Sequence, residues 1–401
     1  MRISSGILAG AAVLLSVQAE AAYRVISENR TNIPLPIGEL QLTETVVQDG
    51  PLSINRFRMH RLRRTNFNSQ GALLLLPPLG NNFNSYLWDE QGNLANSFAA
   101  FFARAGYEVW GLSPRETGIP AGACGTTLDC SPALNWSIQT VIDDATYIRS
   151  RIKSIFPAKD PVIGGFSLGA INAIAVVNQY PKDYAGLLAW EGSPVTADPA
   201  VIAHNTGFCN QYRALVSAGV AVDDQNLPFV KLLATLARTA PNAPFLIPVP
   251  DFPPGLTNLQ AFVLVMSVPN PVAPSPRPGF ITAAGDFLSG QLFYSEKRRL
   301  FEAISKFNDA TANRVARDYY CSLAGVETSY TSKLSRFRAP VMIIKAGQGF
   351  GSIMDELPAS VGSTSITSIG INAYAHIDHL GSVLHTLQLE SPILFWLNTV
   401  L

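Results

Sequence analysis

Charge is scarce in this chain. Asp, Glu, Lys and Arg make up only 14% of its 401 residues, against about 25% in ordinary soluble domains. The two signs balance at 29 residues each, so neither a basic surface for nucleic acid nor an acidic one for a cationic partner is expected. Long apolar runs are scarce as well. Ile7 to Val17, behind Met1-Arg2 and before Ala19-Glu20-Ala21, falls short of the ~20 residues a spanning helix needs. That pattern reads as a secretory signal over residues 1–21, with no cysteine near the cleavage point to carry a lipid. No later stretch is long and unbroken enough to cross a bilayer, so an exported protein (periplasmic or extracellular) without a stable membrane span is expected.

Histidine is rare, five in all, and cysteine numbers four. In an oxidising compartment an even cysteine count reads as disulfides. Four cysteines allow three pairings. Cys124–Cys130 would clip one loop, and Cys209–Cys321 would tie the ends of an insertion; this pair of bonds is favoured. Metal binding is the weaker reading, because no histidine accompanies them at ligand spacing.

Hydrophobic residues are plentiful, at 47%, enough for one large core with an insertion. Residues 40–63 alternate apolar and polar about Asp49-Gly50, which predicts an antiparallel hairpin. Ala72 to Leu76 is solidly apolar, as in a strand covered on both faces. Predicted helices at Asn96–Ala105 and Trp136–Phe156 then alternate with predicted strands at Tyr107–Leu112, Pro161–Phe166, Tyr184–Trp190, Pro340–Lys345 and Ile366–Ile371. A closing helix is expected within Leu380–Val400. Strands alternating with helices predict a mostly parallel sheet covered on both faces. Between Ser193 and Phe337 the rhythm breaks, with two helical stretches (Phe229–Leu236 and Glu296–Phe307) and prolines from Pro241 to Pro278. Extended proline segments cannot enter a central sheet. The expected organisation is a core of residues 22–192 and 338–401, with residues 193–337 inserted as a cap carrying apolar walls such as Phe245, Phe252 and Phe262.

One motif carries chemistry. Gly165-Phe166-Ser167-Leu168-Gly169 follows a short apolar strand and precedes a helix-compatible stretch, the setting of a nucleophile elbow. The serine there sits in strained backbone, and glycines two positions either side leave it room. A plain glycine-rich turn is the alternative.

On these residues the chain resembles the α/β-hydrolases, and loosely the acid lipases of gastric and lysosomal type. The likeness runs from Leu74-Leu75-Leu76-Pro77-Pro78-Leu79-Gly80 through Ala105 to Arg115, Ile142-Asp143-Asp144-Ala145 and the elbow to Ala375-His376-Ile377-Asp378. It covers about two thirds of the chain and leaves the insertion unmatched. The resemblance implies an α/β-hydrolase fold with a lid, and a serine esterase or lipase that needs no cofactor and acts on a small-molecule or lipid ester. Two departures stand out. Such lipases carry His-Gly after the third strand, where this chain has Pro77-Pro78-Leu79-Gly80, and an aspartate where it reads Ala346-Gly347-Gln348-Gly349-Phe350.

A serine nucleophile needs a base. His376, after the last strand, matches the family's catalytic histidine, with His379 the alternative. His60 reads as a surface residue beside arginines, His204 falls in the insertion, and His385 lies in the closing helix. Asp378 reads as a helix cap. The acid that orients the histidine is expected to be Glu191, closing the strand after the elbow helix, with Asp355 the alternative. Some haloalkane dehalogenases keep a strand-end glutamate in that place. The oxyanion donors are expected to be the N–H groups of Leu168 and Leu79, with Gly80 the rival to Leu79; Asn81 and Asn82 read as polar surface loop. An acyltransferase or amidase would use the same triad, and a catalytically silent binding protein would lack the serine or the histidine.

Overall fold

Leu73 to Leu76 offer no polar face, so the strand they form must be buried in the middle of a sheet. The computed structural model describes residues 23–36, 38–87, 93–249, 252–266, 297–347, 349–351, 353–372, 374–376, 378 and 384–401. The expected export signal over 1–21, His379 and the prolines from Pro269 to Pro278 lie outside the described residues. Strands β1 (Tyr23–Pro34), β2 (Glu39–Asp49), β3 (Arg56–Arg64), β4 (Ala72–Leu76), β5 (Glu108–Ser113), β6 (Val162–Phe166), β7 (Gly186–Trp190), β10 (Val341–Ala346) and β11 (Ile366–Ile371) form one sheet in the order β1-β2-β3-β5-β4-β6-β7-β10-β11. Strands β8 (Val222–Asp223) and β9 (Thr311–Ala312) pair separately. From β5 onward every pairing is parallel; β1, β2 and β3 add an antiparallel flank joined to β5.

The helices are α1 (Phe98–Arg104), α2 (Ile138–Ile155), α3 (Leu168–Gln179), α4 (Pro199–Ser217), α5 (Asn226–Thr239), α6 (Asn258–Met266), α7 (Lys297–Ser305), α8 (Asn313–Leu323), α9 (Leu357–Ser360) and α10 (Ser391–Val400). Strand side chains alternate between two apolar layers, as the period of two requires. Leu74, Leu76, Ile163, Leu187 and Ile343 pack under α2 and α3. Leu73, Leu75, Val162, Leu188 and Ile344 pack on the other face, against α1 and α10. Burying each such leucine or isoleucine stabilises the fold by about 1.5–3 kcal/mol.

The chain between neighbouring strands β7 and β10 divides in two. Helices α4 and α8 join the large core through Val201, Cys209, Val315 and Tyr319, whereas α5, α6 and α7 enclose a small core of their own around Leu233, Phe262 and Leu300. Disulfides join Cys124 to Cys130 and Cys209 to Cys321, the pairing favoured above. The second ties α4 to α8 across 112 residues, a long closure worth on the order of 4 kcal/mol on the chain-entropy account.

Strand β1 is absent from the expectations above. Nearly all its side chains are exposed, so it has no alternation to read. Among the described residues, no helix is long and apolar enough to cross a membrane.

Candidate active site

Strand β6 ends at Phe166, and Ser167 then takes φ 60° and ψ −126°, a region costly for any side chain. Two backbone bonds hold it there. Its N–H donates to the Trp190 carbonyl at 2.8 Å, and its carbonyl accepts from the Ala170 N–H at 2.9 Å. The two flanking glycines are required by a close approach: a Cβ at Gly165 would lie 2.4 Å from the Leu76 carbonyl oxygen, and one at Gly169 only 2.0 Å from it. Helix α3 starts at Leu168, whose N–H belongs to the first turn and has no acceptor within the helix. The backbone thus makes the tight strand–serine–helix bend that the motif predicts.

Glu191 follows β7 with φ 53°, the second strained residue of the site. Its carboxylate is fully buried. Oε1 accepts the Ala346 N–H at 2.5 Å, Oε2 accepts the Phe350 N–H at 2.9 Å, and His376 Nδ1 lies 3.2 Å from Oε2. These charge-assisted bonds offset the cost of burying a carboxylate. Asp355 goes elsewhere: it is exposed on a 3₁₀ turn and pairs with Lys345 at 2.6 Å.

Gly349 has a physical reason to be glycine. A Cβ at Gly349 would lie 2.3 Å from Glu191 Oε2. The glutamate carboxylate, arriving from β7, occupies the space that a side chain at 349 would need, so the two exclude each other.

His376 is buried, at 4% exposure. Its ring is held between Phe166, at 4.5 Å between centroids, and Phe350, at 4.4 Å. Phe350 therefore serves twice, through its N–H on the carboxylate and its ring on the imidazole. Asp378 is buried and accepts the Ala375 N–H at 2.8 Å, which ties the His376 loop; residues 379–383, between it and the closing helix, lie outside the described residues.

Leu79 and Gly80 occupy the middle of a turn closed by Asn81 N–H on the Pro78 carbonyl at 3.1 Å, with Gly80 at φ 67°, the pattern of a type II turn. Asn81 and Asn82 are not surface residues as expected; they are buried at 6% and 5% and bonded to the insertion. Tyr86, on the turn Phe83–Tyr86, was not anticipated at all. Its hydroxyl donates to the Leu76 carbonyl at 2.8 Å and accepts the Phe166 N–H at 2.9 Å, linking the strand before the Leu79 turn to the strand before Ser167. A tyrosine amid Asn82-Phe83-Asn84-Ser85 gives no local signal of such a bridge.

His60 also needs correction: it is buried at 2%, with its ring stacked on Phe83 at 5.0 Å. Its Nε2 lies 2.8 Å from Ser113 Oγ and its Nδ1 3.8 Å from Glu44 Oε2. Ser113 Oγ also accepts the Phe83 N–H at 3.1 Å. Burial and the nearby Arg58 push the His60 pKa down to about 3.

No protein-family model and no curated protein sequence matches the chain. Solved structures do. A Sulfolobus solfataricus protein provisionally designated a lipase superposes with a TM-score of 0.65 at 17% identity, over 92% of this chain and 99% of its own. An esterase from Thermogutta terrifontis gives 0.45 at 12% identity, over 93% and 99%, and a carboxyl esterase from Bacillus coagulans gives 0.44 at 12%, over 94% and 99%. The first of these, at 17% identity, carries the shared architecture alone. The chain has the α/β-hydrolase fold.

Proposed function

We propose that the protein is an exported serine hydrolase that cleaves carboxylic esters through an acyl-enzyme. The observation that carries this reading is the strained Ser167 turn on the same sheet edge as an imidazole oriented by a buried carboxylate. Ser167 Oγ attacks the ester carbonyl and gives its proton to His376 Nε2. Glu191 keeps the Nδ1–H tautomer and offsets the imidazolium charge. The N–H groups of Leu168 and Leu79 receive the oxyanion. His376 then passes the proton to the departing alcohol oxygen, and a water activated by the same imidazole releases the acid.

Residues 193–337 act as a cap over the serine, and their apolar content favours an aliphatic or aromatic acyl group. Two disulfides support an oxidising destination, in keeping with an export signal over residues 1–21. An acyltransferase or amidase would share the same residues, so competition among water, alcohol and amine acceptors separates them. The reading is tested by labelling with a fluorophosphonate and mapping the adduct by mass spectrometry, followed by esters of graded chain length. An adduct at Ser167 is expected; a well-folded protein that takes none, or takes it elsewhere, overturns the reading.

A further inference from the structure

Residues 80–82 and 306–308 are more than 220 positions apart in the chain, yet a compact set of polar bonds joins them. The Asn308 N–H donates to the Gly80 carbonyl at 2.7 Å, and Asn308 Nδ2 donates to the Asn81 carbonyl at 2.9 Å. In return Asn82 Nδ2 donates to Asn308 Oδ1 at 2.9 Å and to the Lys306 carbonyl at 3.1 Å. Asn82 Oδ1 meanwhile accepts the Asn84 N–H at 2.9 Å and starts the turn that carries Tyr86. Both asparagines are buried, so each lost bond would leave a polar group unsatisfied. Leu227 of α5 closes the other side: a Cβ at Gly80 would lie 2.6 Å from its Cδ1. The insertion thus grips the Leu79 turn by polar bonds and by packing.

The direction of the turn's donors follows from these bonds. In a planar trans peptide the C=O and N–H point opposite ways. The Pro78 carbonyl is turned inward to Asn81 N–H, and the Leu79 carbonyl accepts Asn81 Nδ2 at 3.1 Å. The N–H groups of Leu79 and Gly80, on the far sides of those peptides, are therefore aimed out of the turn.

We propose that Asn308 is a positioning residue for the oxyanion hole: with Asn82 it forms a latch by which the insertion holds the Leu79 turn in its donor-presenting shape. This rests on the hydrolase reading above. The latch makes the hole complete only when the insertion is seated, so the segment that meets the substrate also sets the catalytic donors.

The test uses the full chain with Asn308→Ala and the gentler Asn308→Ser, whose hydroxyl keeps a small polar group at the site but loses the Nδ2 donor to Asn81. The readouts are kcat and KM on a nitrophenyl ester, inhibition by an alkyl boronic acid, and hydrogen exchange of peptides covering residues 76–84. The expected result for the alanine variant is a kcat about 10- to 100-fold lower, the range for a misplaced catalytic group, with KM changed less than about twofold. Boronate affinity should fall in proportion to kcat/KM, and exchange in 76–84 should quicken. Asn308→Ser should fall between wild type and alanine. A folded alanine variant with wild-type kcat and exchange overturns the latch. If that variant does not fold, Asn308→Ser decides by the same comparisons. A wild type inert to esters and to fluorophosphonate overturns the hydrolase reading instead, and the exchange comparison then reports whether the latch shapes the turn.

Discussion

Two serine–histidine–glutamate sets can be compared in this one molecule, the proposed Ser167–His376–Glu191 and the observed Ser113–His60–Glu44. Paired side-chain distances alone do not rank the first above the second, since Ser113 and His60 sit at 2.8 Å. Their surroundings do. Ser113 and His60 are each 2% exposed, Ser113 Oγ is already taken by the Phe83 N–H, and a histidine held neutral down to about pH 3 by burial cannot store the proton that a base must accept. Ser167 stands instead on a strained bend at the mouth of a helix, where N–H groups without intrahelical partners can receive charge. On the proposed reading a reactive serine is made by backbone strain and open donors, and the second network, with the same residue types, pins a loop.

The comparison can be broken most directly by exchanging the serines' fates. Ser167→Ala should lower ester turnover by about 10⁵-fold or more, while Ser113→Ala should leave turnover within a few-fold and cost about 1–3 kcal/mol of stability through the stranded Phe83 N–H and His60; equal losses of activity would abolish the distinction. The acids give the next effect: Glu191→Gln should lower kcat by roughly 10⁴-fold on triad precedent, and Asp355→Asn should leave it unchanged in the same assay. Gly349→Ala should follow at about 10²-fold, because its Cβ displaces the Glu191 carboxylate and the imidazole it orients; a fully active alanine variant would show that the carboxylate has room to spare. Tyr86→Phe removes the bond to the Leu76 carbonyl and leaves the Phe166 N–H without its acceptor, and kcat should drop about tenfold with KM steady.

The smallest effect is on pH dependence. His60 binds its proton less readily folded, at about 3, than unfolded, near 6.5. The unfolded chain therefore takes up more protons below pH 6.5, and the His60 contribution to stability, full above that pH, is lost as the pH falls toward 3. Glu116, pushed up to about 7 by burial, works in the opposite sense between its unfolded value and 7. The informative measurement is the difference in unfolding free energy between wild type and His60→Gln across pH 4 to 7; the gap should narrow in acid, and a constant gap would contradict the assigned burial effect.

Much of the fold is legible in the sequence itself. Leu73–Leu76, the Ile138–Ile152 pattern and the Asp49-Gly50 hairpin declare their elements because each is a local periodicity. The elbow is legible because strand, glycine-flanked serine and helix are contiguous. Strand β1 is not, since an exposed edge has no apolar stripe, and neither is the burial of His60, since the arginines around it suggest a solvent face and only the assembled sheet pairs Arg58 with Glu44 and Arg61 with Glu108.

The sequence by itself determined the alternation of strand and helix, the serine bend and the short list of bases and acids, because those depend on residues near one another in the chain. Only the tertiary structure brought Glu191 to within 3.2 Å of His376, 185 positions away, set Tyr86 between two strands, and seated Asn308 against Asn82. The reason is geometric. Which strand ends lie side by side is decided by how the whole sheet assembles, and a glycine at 349 acquires its meaning only once the carboxylate from another strand is there to need the space.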